Sequence, residues 1–474
     1  MIKIDLTSAE KRKPILGFGT SSCWWSQNVA NKNIADELAA LLYGKSGLGL
    51  NIYRYNIGAG WDDGNCRVEN PWRRCESFYI DDNANESEGF GGHYDFEKDK
   101  NAYAFLKRCL KEETIDTVIL FANSPHYSLT SSGQASGSLM HHTCNLPMSN
   151  YNRFADIFLD ITQHFIDDGV PVNYISPINE PQWKWGGKSV WQEGCHYEPE
   201  EVAAVFHIFA QKLEERNMSV KLYGPESGEI TGLTEEYLKL FLQDNLIMKH
   251  LGAFALHSYH ADRDFEIRKN FYKNTVFTHP EIRFDMSEWC ELPSAHDASD
   301  PATACIMARV ISNDISKLNV NAWCNWVAVN EIGVGDDGKD YSDGLLVADP
   351  NNTADYYTAY RLYGYMQFSK FVPAGSQVLD CGDGMLTLTS SKTDEGTTYR
   401  ELVNETAFKT PDGKIVVVVV NEGNSRNVKF SLDDYSNVSV YTTNSELKCS
   451  NTYSGALKDK YEITANSINT FVFE

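Results

Sequence analysis

The sequence predicts an α/β protein, a (β/α)8 TIM barrel carrying an appended antiparallel β-sandwich. Three observations predict it. Eight short, continuously apolar runs alternate with helix-like segments over most of the chain. After about residue 372 the texture changes to β-prone segments separated by turn residues, with no helical period. Two long connections leave the carboxyl ends of the second and fourth runs, which is the face where barrels build their sites.

The strand candidates are 15–19 (ILGFG), 48–55 (LGLNIYRY), 117–122 (TVILFA), 172–178 (VNYISPI), 220–224 (VKLYG), 252–257 (GAFALH), 282–287 (IRFDMS) and 320–329 (VNAWCNWVAV). Continuous rather than alternating apolarity is what a parallel strand covered on both faces requires. Between them lie helical patterns such as Glu200 to Glu214. Pro199 sits there at the first helical position, with Glu200 and Glu201 in the electropositive first turn. Eight βα units in series favour the closed barrel, residues 15–372, over a doubly wound open sheet. GMLTLTSS, KIVVVVVNEG, RNVKFSLDD, NVSVYTT and INTFVFE then read as a sandwich over 373–474, which the N-terminal strand within 1–14 (KIDL) is expected to join.

Composition limits the function. Of 474 residues 42% are hydrophobic and 23% charged, which excludes a disordered chain, a collagen-like repeat and a small disulfide scaffold. Lys and Arg number 42 against 65 Asp and Glu, a net charge of −23 that repels nucleic acid and anionic membranes. The 11 cysteines are odd in number and scattered, with no C-x-x-C pair, and read as reduced thiols. The first residues lack the apolar core of a secretion signal, so a cytoplasmic location is expected. Oligomeric state is left open.

The chemistry concentrates at two strand ends. Strand four ends Asn179-Glu180-Pro181 and strand seven ends Ser287-Glu288-Trp289. In a barrel, two such carboxylates over one mouth suit attack at an acetal, one protonated to assist the leaving oxygen and one ionised. Asn-Glu alone means little, since the dipeptide also ends at Glu86, Glu331, Glu405 and Glu422, and most glutamates are solvated surface charges. Position at the end of an apolar strand separates Glu180 and Glu288 from the rest. Glu193, Glu226 and Glu331 also lie near the mouth, with a structural or solvated role expected first.

Here a resemblance emerges. Asn179-Glu180-Pro181 with Ser287-Glu288 is similar to the large retaining glycoside hydrolase clan of (β/α)8 barrels, and the whole chain resembles glycoside hydrolase family 30. Gly17-Phe18-Gly19-Thr20-Ser21 followed by Trp24-Trp25, Asn51-Ile52-Tyr53-Arg54-Tyr55-Asn56, and Trp191-Gln192-Glu193-Gly194-Cys195-His196 look most like its β-1,6-galactanase branch. The resemblance implies that Glu180 is the acid/base and Glu288 the nucleophile. It implies that Asn179 holds the sugar 2-hydroxyl, that Arg54 and Tyr259 orient the nucleophile and keep it ionised, and that Trp326 floors the sugar-binding subsite. It also implies a β-1,6-linked galactan or galacto-oligosaccharide as substrate. Another β-glycosidase specificity (β-glucosidase, β-xylosidase or β-fucosidase) or a non-catalytic carbohydrate-binding barrel are the alternatives.

All ten tryptophans precede residue 327, most at strand ends or in the long loops 56–95 and 182–198. Indoles also serve in cores, but a cluster at a barrel mouth suits sugar stacking, and Trp25, Trp191 and Trp289 are expected to stack substrate together with Trp326. His141-His142-x-Cys144 lacks a second ligand pair, Gly89-Phe90-Gly91-Gly92 neither follows a strand nor opens a helix, and no Gly-x-Ser-x-Gly elbow occurs. No metal and no cofactor are expected.

Overall fold

A computed structural model describes residues 1–474 except 8, 30–32, 83–90, 141–142, 188–189, 262–264, 293–295, 382–387, 394–395 and 402. Glu86, Gly89, Phe90, His141, His142 and the Gly384–Thr387 part of GMLTLTSS lie outside the described residues.

Eight parallel strands close into a barrel in chain order: Gly17–Ser21, Ile52–Asn56, Thr117–Phe121, Val172–Ser176, Lys221–Ser227, Leu251–His257, Phe284–Trp289 and Ala322–Val327. Each matches one apolar run. The first, second, third, seventh and eighth are buried throughout, as strands walled by helices outside and by side chains inside must be. The edges differ from expectation by a few residues. The second strand begins at Ile52 rather than 48, because the amide of Leu50 still bonds back to Leu42 O at 3.1 Å. The fifth runs on to Ser227, carrying Glu226 inside the sheet instead of beyond it.

By packing, the chain forms two compact units, one of residues 20–40 and 52–257, the other of 1–19, 41–51 and 258–474. In the first, strands two to six alternate with helices. The helix Pro199–Glu215 opens with a reciprocal cap in which Glu201 accepts from the amide of Glu198 at 2.8 Å. Side chains alternate along strand two: Tyr55 packs outward on Phe165 of the helix Tyr151–Asp167, ring centroids 5.0 Å apart. Ile52, Arg54 and Asn56 therefore face the barrel interior.

The second unit holds strands seven and eight and the sandwich. A seven-stranded sheet, in the order 11–14, 377–379, 403–409, 415–421, 467–473, 437–443 and 450–456, packs on a three-stranded sheet of 2–5, 426–431 and 461–463. The N-terminus supplies one strand to each sheet, where KIDL alone had been expected: Ile2–Asp5 runs parallel to Arg426–Ser431, and Lys11–Pro14 antiparallel to Gln377–Leu379. Ile415–Asn421 is buried on both faces, which explains its unbroken apolar run. Val417 and Val419 fill the sandwich core with Ile2, Ile4, Val428, Phe471 and Phe473. Toward the barrel side, Ser312 of the helix Ala302–Asn313 bonds Thr406 at 2.6 Å, and Thr470 donates to Gln367 Oε1 at 2.6 Å.

Candidate active site

In the first unit, the inward-facing Arg54 is fully buried. A buried guanidinium must be paired to persist. It lies over the Phe121 ring at 3.6 Å, donates to Asn179 Oδ1 at 2.8 Å and stands 3.4 Å from Glu226 Oε1. The amide oxygen of Asn179 is thus turned toward Arg54.

Glu180 follows strand four with φ +47°, and Glu226 on strand five has φ +59°. Left-handed backbone at a residue with a long side chain is unusual and concentrates at functional positions. Here each stabilises the other, the Glu180 amide donating to Glu226 O at 2.9 Å. The Glu180 carbonyl accepts from the Trp183 amide at 3.2 Å and from the Trp185 indole at 3.0 Å. Gly228 leaves the space the side chain needs: a Cβ there would lie 3.0 Å from Glu180 Oε1 and 2.5 Å from Trp183 Nε1.

The buried His257 imidazole spans two carboxyl groups. Nδ1 is 3.1 Å from Glu180 Oε1 and Nε2 is 3.2 Å from Glu226 Oε2, while Glu226 Oε1 also accepts from Ser176 Oγ at 3.0 Å. The proton inventory is constrained. Either an imidazolium donates to both carboxylates, or a neutral ring donates to one and accepts from the other, which then carries a proton. Both arrangements keep a transferable proton beside Glu180.

Glu193, in the loop after strand four, is 2% exposed and accepts from the Ala59 amide at 2.9 Å and from Asn56 Nδ2 at 3.3 Å. Burial pushes its carboxyl up to about 7 against these hydrogen bonds.

In the second unit, Glu288 is buried at the end of strand seven and accepts from the Tyr259 hydroxyl at 3.1 Å. The same hydroxyl lies 3.6 Å from Cys290 Sγ, which donates to Asp343 Oδ2 at 3.3 Å. A phenol donating to a carboxylate favours its ionised form. Trp326 lies on strand eight on the face opposite Trp323 and is 6% exposed.

Two of the expected stacking residues are corrected. Trp25 is fully buried, its indole N–H held by Ser21 O at 3.0 Å and its ring set edge-on to Phe105 at 4.8 Å. Trp289 is 1% exposed and packs on Trp323 at 6.3 Å, and Trp323 in turn meets Tyr365 of the helix Tyr360–Ser369 at 5.2 Å. Alternation along strand seven turns Trp289 to the helix side once Glu288 faces inward, so neither ring has a free face for a sugar. Trp191, by contrast, is 79% exposed. Trp61, Trp183 and Trp185 are half-buried on the same two long loops, while Trp24 and Trp72 are core. The sequence alone gives His257 no role, and for Glu226 it suggests a structural or solvated one. Their only trace in the sequence was a polar residue closing an apolar strand.

A closed parallel barrel joined to a sandwich, with buried glutamates closing strands four and seven, is the arrangement that the resemblance to the retaining glycoside hydrolases implies, and the family models identify the chain as a glycoside hydrolase. The model for O-glycosyl hydrolase family 30 matches residues 1–239, and that for the family 30 beta sandwich domain matches 389–471. The chain belongs to glycoside hydrolase family 30. It is 23% identical over 434 residues to an endo-beta-1,6-galactanase of Hypocrea rufa, covering 88% of this chain and 80% of the relative. It is also 23% identical over 440 residues to an endo-1,6-beta-D-glucanase of Trichoderma harzianum, covering 89% and 80%. Among solved structures it is similar to a conserved exported protein from Bacteroides fragilis, with a TM-score of 0.83, 22% identity and 100% of both chains covered.

Proposed function

We propose that the protein hydrolyses β-1,6-linked galactan or galacto-oligosaccharides by double displacement. Glu288 attacks the anomeric carbon while Glu180 protonates the departing oxygen. Glu180 then takes a proton from water, which releases the sugar from Glu288 with the β configuration retained. In this reading Asn179, whose amide oxygen Arg54 holds, binds the 2-hydroxyl, Trp326 floors the sugar subsite, and the exposed Trp191 stacks on the substrate.

The observation that carries this reading is the unlike surroundings of the two carboxyls. Glu288 receives a phenol hydrogen bond that suits an anionic nucleophile, whereas Glu180 shares an imidazole with a second carboxyl and so has a proton at hand. The linkage rests on the two curated relatives, both named for β-1,6-linked chains whose sugars differ only in epimer. Hydrolysis of β-1,6-galactobiose, β-1,6-glucobiose and a panel of aryl β-glycosides tests the assignment, with early-time NMR of the released sugar. Galactoside cleavage giving the β anomer first is expected. An α anomer, or full turnover by Glu288→Gln, overturns the mechanism, and absence of galactoside cleavage overturns the substrate.

A further inference from the structure

Both oxygens of the buried Glu193 carboxyl are already taken by protein donors, and this residue sits where two rim loops are fastened together. Its carboxyl accepts from the amide of Ala59, just beyond strand two, and from Asn56, the last residue of that strand. Asn56 Oδ1 in turn accepts from Asn123 Nδ2 at 3.4 Å, beyond strand three. The next residue, Gly194, donates its amide to Ala135 O at 2.9 Å. Gly194 also packs closely against the Trp185 indole: a Cβ there would fall 2.3 Å from the ring. The N–H of that indole is bonded to the Glu180 carbonyl at 3.0 Å. The loop closes on itself, the Tyr197 amide meeting Pro181 O at 3.0 Å.

A continuous path of contacts therefore runs from the Glu193 clamp, through Gly194 and Trp185, to the left-handed backbone of Glu180. We infer that Glu193 is a positioning residue: by clamping the 182–197 loop to the ends of strands two and three, it presses Trp185 onto Glu180 and holds that carboxyl at the angle from which it delivers a proton. Arg67 reinforces the same seam, donating to Gly187 O and, at 2.5 Å, to Gly137 O. The inference rests on the acid/base reading of Glu180, and the experiment separates the two.

Proton delivery matters to bond cleavage only when the leaving group is a poor one. The test compares kcat/KM for phenyl β-galactoside and 2,4-dinitrophenyl β-galactoside, which share the sugar and differ in leaving-group acidity. Glu180→Gln, Glu193→Gln and Glu193→Ala are compared with the wild type. A misplaced acid lowers the phenyl/dinitrophenyl ratio, and misplacement of a reacting group by about 1 Å costs roughly 100-fold. The expected result is a roughly 10–100-fold fall in that ratio for Glu193→Ala, a smaller fall for Glu193→Gln, which keeps one acceptor for the Ala59 amide, and the largest for Glu180→Gln. If Glu180→Gln leaves the ratio unchanged, the acid/base reading fails. If Glu180→Gln lowers it while the Glu193 variants lose both substrates equally, or lose neither, the positioning role is refuted. Should Glu193→Ala not fold, Glu193→Gln alone decides.

Discussion

Substituting Glu193 by glutamine removes a buried ionisable group, and linkage fixes how that changes stability with pH. The carboxyl of Glu193 is raised by burial from 4.5 to about 7. Below pH 4.5 it is protonated in the folded and the unfolded chain alike, and no penalty arises. Between the two values the unfolded chain releases the proton while the folded protein keeps it, so stability falls as pH rises. Above about 7 both states are ionised and the loss is complete. At about 1.4 kcal/mol per unit, the full loss is about 3 kcal/mol, most of which accrues between about pH 5 and about pH 8. Glutamine carries no such dependence. Urea unfolding followed by indole fluorescence reports the barrel, because all ten tryptophans precede residue 327. The difference in unfolding free energy, Glu193→Gln minus wild type, should shift in the variant's favour by roughly 2–3 kcal/mol from about pH 5 to about pH 8, other titrations cancelling in the comparison. A flat difference, or one moving against the variant, refutes the reasoning.

Other outcomes follow from the site. Tyr259→Phe removes a hydrogen bond to an anionic carboxylate, an interaction of about 1.5–3 kcal/mol, so the acid limb of the kcat/KM profile should move about 1–2 pH units upward. An unmoved limb would detach Tyr259 from Glu288. Arg54→Met removes a fully buried guanidinium from the Glu226 carboxyl and should destabilise the fold by about 3–5 kcal/mol, with Arg54→Lys restoring it only in part; calorimetry decides. Trp25→Ala opens a core cavity and should cost about 3–5 kcal/mol. Trp191→Ala should change stability by less than about 0.5 kcal/mol while raising KM for galacto-oligosaccharides, and the reverse pattern would return Trp25 to the substrate.

The barrel was legible because a parallel strand walled on both sides must be apolar at every position, and each of the eight runs became a strand. IVVVVV obeys the same rule for another reason, being an antiparallel strand with a second sheet on one face and a barrel helix on the other. Strand edges were less legible, since Leu50 is apolar whether it bonds in a sheet or, as here, back to Leu42. Glu180 and Glu288 stood out as acids closing apolar strands. His257 and Glu226 did not, because what marks them is the imidazole they share with Glu180 across three strands. The tryptophans show the converse error: clustering along the chain does not reveal which way a ring faces. Trp25 and Trp289 each sit next to residues of interest, and the alternation that turns Glu288 inward turns Trp289 away.

The most direct test of double displacement is to trap the glycosyl-enzyme with 2-deoxy-2-fluoro-β-galactosyl fluoride and map the modified peptide by mass spectrometry. One fluorogalactosyl group esterified to Glu288, absent from Glu288→Gln, is the predicted result. A label on Glu180, or turnover of natural substrate with no ester formed at residue 288, would contradict it.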